Sequence, residues 1–244
     1  MIYRFEVAVD SLESALIAQD CGADRIELCA DLGIGGITPS PGLLQLAFER
    51  LRIPVYVMIR PRRGDFLYSD AEFEVMLRDI DVMKSAGAQG AVFGVLTADG
   101  DVDVERTSHL VHAARPLNVT FHRAFDMCRN PRAALAKLID MGVDTLLTSG
   151  QAPSAVEGMP LIVEMVAWAA DKIDIMPGAG IHPGNIARIA EATGARTFHF
   201  SARETVDGPM RYRNARALMG QARGEFLRTK ASAERIQRIM TALL

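Results

Sequence analysis

The sequence has few cysteines, no long apolar run and no excess of positive charge. Its three cysteines, Cys21, Cys29 and Cys128, form no CxxC pair, so we expect neither a disulfide framework nor a zinc cluster, and a reduced cytoplasmic compartment is favoured. No apolar run reaches the roughly 18 residues of a membrane span, and no signal-peptide pattern opens the chain. The formal net charge of −3 argues against a general nucleic-acid binder.

What is present is the composition of a globular α/β domain, with 244 residues of which 49% are apolar and 23% charged. Short apolar runs alternate with stretches of helical periodicity, which indicates parallel strands covered by helices. Strands are predicted near residues 2–8, 24–29, 54–60, 90–96, 118–123, 143–148, 172–177 and 196–201. Helices are predicted near 11–21, 40–51, 70–86, 103–115, 131–141, 154–170 and 183–193, with caps at Ser11, Ser40, Ser69, Asn130 and Ser154.

Eight strand–helix units predict a single TIM-type (β/α)8 barrel over residues 1–201. An open doubly wound sheet is the alternative, and the lack of a G-x-G-x-x-G after the first strand disfavours it. Residues 202–244 are predicted to form a C-terminal extension, polar as far as residue 230. Ser232 then begins a helix with one apolar face, which we expect to pack on its own barrel or, alternatively, on a second subunit.

Alternation along the strands predicts which side chains enter the barrel. In Thr197–Ser201 the two phenylalanines share one face and should lie under the outer helices, which turns His199 inward. The same pattern places further polar and sulfur-containing side chains inside: Glu6, Glu27, Cys29, Met58, Arg60 and His122. An ordinary barrel interior holds branched apolar side chains, and unpaired buried charges are costly. We therefore expect a functional site, with a buried ion-pair network as the alternative.

The polar interior residues and the segment after the fifth strand form a candidate catalytic group. Carboxylates and imidazoles can transfer protons, while His199 or Arg123 can stabilise developing negative charge. The predicted catalytic residues are Glu27, Glu6, His122, Arg123, Asp126 and His199. Asp126 has two further interpretations, a helix cap and an ion pair with Arg129.

A second group of residues is predicted to bind an anion at the C-terminal end of the barrel. Arginine can hold a carboxylate or phosphate through two parallel hydrogen bonds. Glycine-rich loops after late strands present backbone N–H groups to phosphates, although glycine also serves tight turns. The predicted anion-binding residues are Arg60, Arg62, Thr148, Ser149, Gly150, Gly178 and Gly180.

Cys29 and Met58, together with a histidine, form a soft ligand set suited to Cu(I). Buried cysteine and methionine are also ordinary core residues. On the residues alone, the neighbouring arginines Arg60, Arg62 and Arg123 favour an anionic organic ligand over a metal cation.

Several long motifs resemble the CutC family, and the similarity runs from the first strand to about Asn214. They are the segments 23–29 (ADRIELC), 57–62 (VMIRPR), 64–69 (GDFLYS), 119–126 (VTFHRAFD) and 147–150 (LTSG). The resemblance implies a TIM-type barrel, a cytoplasmic location, a homo-oligomer that is often a dimer, and copper binding in copper homeostasis. Where some members carry cysteine this chain has Ala8 and Phe200, so Cys29 is the one such thiol retained inside the barrel.

Three functions follow as hypotheses. The resemblance implies a copper-binding homeostasis protein with Cys29 as the main ligand and Met58 or a histidine beside it. The interior residues also suit an isomerase, epimerase or lyase acting on a small phosphorylated or carboxylated metabolite. The third is a barrel that serves as a scaffold, for which Glu27→Gln and Arg60→Ala would leave the cellular phenotype intact.

Overall fold

The computed structural model of the chain describes residues 2–214, 216 and 224–243. Eight parallel strands form a nearly closed barrel, with backbone ladders in the order β7-β6-β5-β4-β3-β2-β1-β8. The strands are β1 Arg4–Val9, β2 Arg25–Leu28, β3 Val55–Met58, β4 Gly90–Phe93, β5 Asn118–Phe121, β6 Thr145–Thr148, β7 Asp174–Pro177 and β8 Thr197–Phe200. The predicted TIM-type barrel is therefore confirmed.

The strands alternate with helices on the outside of the barrel. These are α1 Leu12–Asp20, α2 Pro41–Arg50, α3 Asp70–Ala86, α4 Val104–Ala114, α5 Pro131–Asp140, α6 Met159–Ala169 and α7 Ile186–Thr193. Short 3-10 turns, Leu32–Ile34 and Arg123–Met127, follow β2 and β5. In the part of the chain that the structure describes, no helix has the length and apolar character needed to cross a membrane.

Four helices begin at the cap residues that the sequence predicts, whereas the sixth helix begins later than predicted. Four predicted cap residues each accept a hydrogen bond from a backbone N–H in the first turn of a helix: Ser11, Ser40, Ser69 and Asn130. Ser154 accepts one from the N–H of Glu157, yet α6 begins only at Met159. The residues before it form turns in which Gly158 lies against the loop after β6, so closely that a Cβ there would overlap the Ser149 carbonyl oxygen.

The two faces of the strands pack into separate clusters. Outward-facing apolar residues join the main core between barrel and helices, among them Phe5, Val7, Ile26, Val57 and Phe198. A second cluster lies inside the barrel and consists of Cys29, Tyr56, Met58 and Val92. The predicted alternation of strand faces agrees with this division.

The C-terminal extension contains two strands that the sequence analysis did not predict. Arg203–Asp207 (β9) and Leu227–Ala231 (β10) pair antiparallel, and Ala233–Thr241 (α8) follows them. Both strands are largely polar and exposed, so they lack the alternation of apolar residues that marks a half-buried strand. In α8, Ile236 and Ile239 are buried in the main core of the same chain.

Candidate functional site

A cavity of 370 Å³ lies at the carboxyl ends of the barrel strands. Its lining includes Glu27 from β2, Arg60 just after β3, His122 just after β5 and His199 from β8. Four of the polar residues predicted to face inward, contributed by four separate strands, thus meet in one cavity. Parallel strands place their carboxyl ends at one edge of the barrel, which is where sites in this fold are found.

Below the cavity, the Glu6 carboxylate joins a buried arginine to a buried histidine. Glu6 is fully buried, and it accepts hydrogen bonds from Arg25 Nε at 2.5 Å and from His199 Nδ1 at 2.8 Å. Burial alone would raise the pKa of Glu6, but the charges of Arg25 and His199 outweigh it and hold that pKa below its usual value. Glu6 does not line the cavity, and it acts on the site through His199.

His199 is held between two carboxylates. Its Nδ1 faces Glu6, and its Nε2 lies 3.8 Å from Glu27 Oε2 at the base of the cavity. Burial alone would lower the pKa of His199, but Glu27 and Glu6 together raise it above the usual value. The ring orientation is therefore fixed, and Nε2 is the nitrogen that faces the cavity.

Glu27 links His199 to the buried thiol of Cys29. Cys29 Sγ donates to Glu27 Oε2 at 3.5 Å, while Glu27 Oε1 is buried without a hydrogen-bond partner among the described residues. Burial raises the pKa of Glu27, with Glu6 adding to the effect and His199 opposing it. Burial, followed by the charge of Glu27, raises the pKa of Cys29 well above its usual value. Without a metal, Cys29 is a protonated thiol.

The Glu6, Glu27 and His199 side chains could hold a metal ion, since one ligand atom from each lies within 4.8 Å of the others. Two sulfur groups adjoin this set, because Cys29 touches Glu27 and Met58 lines the same cavity. Met58 and Cys29 also belong to one interior cluster and flank Gly36. A Cβ at Gly36 would lie only 2.9 Å from Cys29 Sγ, so glycine leaves room beside the thiol.

On the opposite wall, His122 is a neutral hydrogen-bond donor. Burial, with a further effect of Arg60, lowers the pKa of His122 to about 3. Its Nδ1 accepts the backbone N–H of Ala124 at 3.2 Å, which leaves the ring proton on Nε2. Nε2 is buried and has no partner among the described residues.

Arg60 is buried without a carboxylate. Its guanidinium donates to the backbone carbonyls of Ile34, Gly36 and Gly64 at 3.0–3.2 Å, and it lies 5.1 Å from the Phe66 ring centroid. Among the described residues, Arg60 Nε has no hydrogen-bond partner and no acidic side chain forms an ion pair with Arg60. The carbonyls fix the guanidinium in place but leave its charge uncompensated.

Arg123 and Asp126 are engaged with each other. Arg123 Nε donates to Asp126 Oδ2 at 2.8 Å, and Arg123 lines the cavity whereas Asp126 does not. Asp126 also accepts the Thr148 hydroxyl and the backbone N–H groups of Ser149 and Gln151. The loop after β6 therefore surrounds an anionic group, and that group is the protein's own Asp126 carboxylate. Arg129, the other predicted partner of Asp126, pairs instead with Asp101.

Most of the other residues predicted to bind an anion are also engaged in contacts within the protein. Arg62 lies outside the cavity and pairs with Glu72 at 2.5 Å. The N–H of Gly150 is bonded to Thr148 Oγ1, and the N–H of Gly178 to the Thr148 carbonyl. Gly180 lines the cavity. Of the seven predicted residues, the structure brings only Arg60 and Gly180 to the cavity wall, since the others are engaged within the protein or point elsewhere.

Three contributors to the site were missed in the sequence analysis. Arg203 lines the cavity from the start of β9, a segment that was assigned to the polar extension. Phe66 contacts both Arg60 and His122. Its ring centroid lies 5.1 Å from that of His122, with the two rings tilted by 59°. Gly94 makes room for His122, because a Cβ there would lie 2.6 Å from its Nδ1. Of the three, only Gly94 gave a usable signal, because a glycine inside a predicted strand (residues 90–96) often marks the close approach of another group.

Comparison with known proteins identifies similar chains. The CutC family model matches residues 3–204. A human protein named copper homeostasis protein cutC homolog is 53% identical over 218 residues, covering 89% of this chain and 80% of the human one. A family protein CutC from Chromobacterium violaceum is 48% identical over 239 residues, covering 98% and 97% of the two chains.

Solved structures show the same fold. A CutC crystal structure from Streptococcus agalactiae superposes with a TM-score of 0.79 at 30% identity, covering 82% of this chain and 99% of that one. Phosphoribosyl anthranilate isomerase from Thermotoga maritima superposes with a TM-score of 0.58 at 13% identity, covering 100% and 98%. The second likeness concerns the barrel fold alone.

Proposed function

The chain belongs to the CutC family, and from that premise we propose that it binds Cu(I) inside its barrel and serves copper homeostasis. The name of the human relative, copper homeostasis protein cutC homolog, supports the assignment. The observation that carries the proposal is the contact of Glu27 Oε2 with both the Cys29 thiol and His199 Nε2. Copper is then a cargo that the protein binds and releases.

The donor set fits Cu(I) by its chemistry. A thiolate from Cys29, a thioether from Met58 and an imidazole from His199 are soft or borderline ligands, which Cu(I) prefers over carboxylates and carbonyls. Histidine ligands in metal sites commonly donate their second ring N–H to a carboxylate. Glu6 accepts from His199 Nδ1 at 2.8 Å, so the ring is already oriented with Nε2 toward Glu27, the carboxylate that the Cys29 thiol contacts.

Two protons must leave before copper can bind these ligands. The pKa of Cys29 lies well above its usual value and that of His199 is also raised, so both shifts favour the protonated forms with which copper must compete. Copper affinity should therefore increase as the pH rises, and binding should release protons. Calorimetry in buffers with different ionisation enthalpies measures that release, and an affinity that falls between pH 6 and 8 would contradict the assignment.

An anaerobic titration of Cu(I) against a chromogenic chelator tests the ligand set. We expect Cys29→Ser to weaken copper binding at least tenfold, because it removes the thiolate. The matched control is Cys21→Ser, which alters a thiol at the end of α1, outside the barrel interior, and should leave the affinity unchanged. Equal affinities of the wild type and Cys29→Ser would remove the proposal.

The setting of the protein is proposed on the same premise. We infer a cytoplasmic location, supported by the three unpaired cysteines among the described residues. We also infer a homodimer, supported by the family resemblance, and a single barrel domain over residues 1–201 with an extension over 202–244. Light scattering coupled to size-exclusion chromatography determines the mass in solution, and a monomer at micromolar concentration would refute the dimer.

A further inference from the structure

Three buried polar atoms without hydrogen-bond partners among the described residues belong to side chains that line one cavity, from β2 and from the segments just after β3 and β5. They are Glu27 Oε1, Arg60 Nε and His122 Nε2, and each belongs to a residue that lines the cavity. We propose that the cavity binds a small hydroxylated organic anion, with Arg60 and His122 holding its oxyanion and Glu27 its hydroxyl group. Buried polar groups are nearly always hydrogen-bonded in folded proteins. The three atoms therefore mark the positions that ligand atoms would satisfy.

The two donors define the anionic end of the ligand. His122 Nε2 carries a proton, because Nδ1 already accepts the N–H of Ala124. Arg60 Nε–H is a donor in every state of the protein. Both side chains contact the Phe66 ring, and the charge of Arg60 contributes to the lowered pKa of His122, so the two donors belong to the same part of the cavity wall. Two adjacent N–H donors match two oxygens of one carboxylate or phosphate group.

Charge favours an anion at the same place. Arg60 is buried, and its guanidinium donates to carbonyl oxygens and lies near an aromatic ring, with no carboxylate paired to it among the described residues. Arg203 adds a second cation at the cavity and forms no ion pair within the described part of the chain. Arg123, the third arginine in the lining, is neutralised by Asp126. A buried cation without a counter-ion is costly, and a ligand oxyanion would offset that cost.

Glu27 defines the other end of the ligand. Its free Oε1 can accept from a hydroxyl group when the carboxyl is ionised and donate to one when it is protonated. The cavity volume of 370 Å³ lies at the lower end of the range for small-molecule sites, which suits a metabolite of a few carbon atoms. The ligand class is therefore a short carboxylate or phosphate ester that also bears a hydroxyl group.

Calorimetric titration of copper-free protein tests the ligand class. The probes are glycerate and glycerol 3-phosphate, with propionate, which lacks hydroxyl groups, and glycerol, which lacks the anion, as ligand controls. We expect at least one of the two hydroxylated anions to bind with a Kd of about 1 mM or tighter. Propionate and glycerol should bind at least tenfold more weakly. The preference between glycerate and glycerol 3-phosphate decides between carboxylate and phosphate.

Variants of His122 test the assigned donor. Asparagine can replace the Nδ1 acceptor but not the Nε2 donor, so His122→Asn should weaken binding of the preferred anion at least tenfold. Glutamine reaches the Nε2 position, so His122→Gln should stay within about threefold of the wild type. Arg203 is less buried, so Arg203→Gln should weaken binding of the preferred anion by about threefold and leave the affinity for glycerol unchanged.

Several results would overturn the proposal. These are the absence of binding of both hydroxylated anions at 10 mM, equal binding of glycerol and glycerate, or an unchanged affinity in folded His122→Asn. If His122→Asn does not fold, the affinities for propionate and glycerol and the affinity of Arg203→Gln for the anion test the proposal instead. Because copper is excluded by chelation and Cys29 is unchanged in these variants, failure of anion binding leaves the copper proposal standing, and the reverse also holds.

Discussion

The buried carboxylate of Glu6 offers a direct test of the electrostatics beneath the site. Glu6→Gln keeps the shape of the side chain and removes the charge that compensates Arg25 and His199, which lie 2.5 and 2.8 Å from its oxygens. Removing one partner from a buried ion pair costs about 3–5 kcal/mol. Since glutamine can still accept a hydrogen bond, we expect a loss of about 3 kcal/mol in the free energy of unfolding.

The pH dependence of this loss has a definite sign. The pKa of Glu6 is lowered, so its contribution is present above the unfolded pKa of about 4.3 and is lost as the pH falls through the folded value. The pKa of His199 is raised, so its contribution is complete below about pH 6.5 and is lost as the pH rises through the folded value. The difference between wild type and Glu6→Gln should be largest between about pH 4.5 and 6.5.

Urea unfolding of both proteins from pH 3.5 to 9 measures this difference. Glu74→Gln serves as a control, because Glu74 pairs with Arg78 on the exposed face of α3 and should contribute little. NMR titration of His199 should show a lower pKa in Glu6→Gln than in the wild type. A loss at pH 6 of less than about 1 kcal/mol, the worth of an exposed pair, would refute the reasoning, as would a loss independent of pH.

Three further predictions concern the loops and the thiols. Gly158→Ala should lower the melting temperature strongly, because its Cβ would overlap the Ser149 carbonyl oxygen. The control is Gly42→Ala in α2, where nothing lies within 4 Å of the added Cβ and the melting temperature should rise slightly. Asp126→Asn should lower the free energy of unfolding by about 2 kcal/mol or more, because a single amide oxygen replaces a carboxylate that accepts from four donor groups at the end of β6 and in the loop after it. Urea denaturation measures this loss, and an unchanged free energy of unfolding would contradict the reasoning. Iodoacetamide at pH 8 should label Cys21 first and should reach Cys29 and Cys128 only after unfolding. Cys29 and Cys128 are buried, and burial raises the pKa of both thiols, that of Cys128 to about 11. Peptide mass spectrometry measures the order of labelling.

The barrel and its interior residues could be predicted because strand alternation is a strong signal. Phe198 and Phe200 share one face in the sequence and lie in the outer core, which fixes His199 toward the interior. The same period of two places Glu27 and Met58 at the cavity. Each of these positions depends only on the local geometry of one strand.

Contacts between loops could not be predicted in the same way. Asp126 looked available for catalysis, but it fills the anion-binding loop after β6, and that pairing joins two segments that no local pattern connects. Arg62 looked like an anion ligand and instead pairs with Glu72 at the start of α3. The late start of α6 depends on the close approach of Gly158 to Gly150. Strands β9 and β10 could not be predicted because their polar residues show no alternation of apolar and polar positions.

Anomalous scattering at the copper edge from a crystal of the Cu(I)-loaded protein tests the central claim most directly. The claim is that side chains from β3, β8 and the residue just after β2 form one ligand site inside the barrel. The predicted result is an anomalous peak among Cys29 Sγ, Met58 Sδ and His199 Nε2, beside Glu27. A peak confined to Cys21, Cys128 or surface histidines, with none inside the barrel, would contradict it.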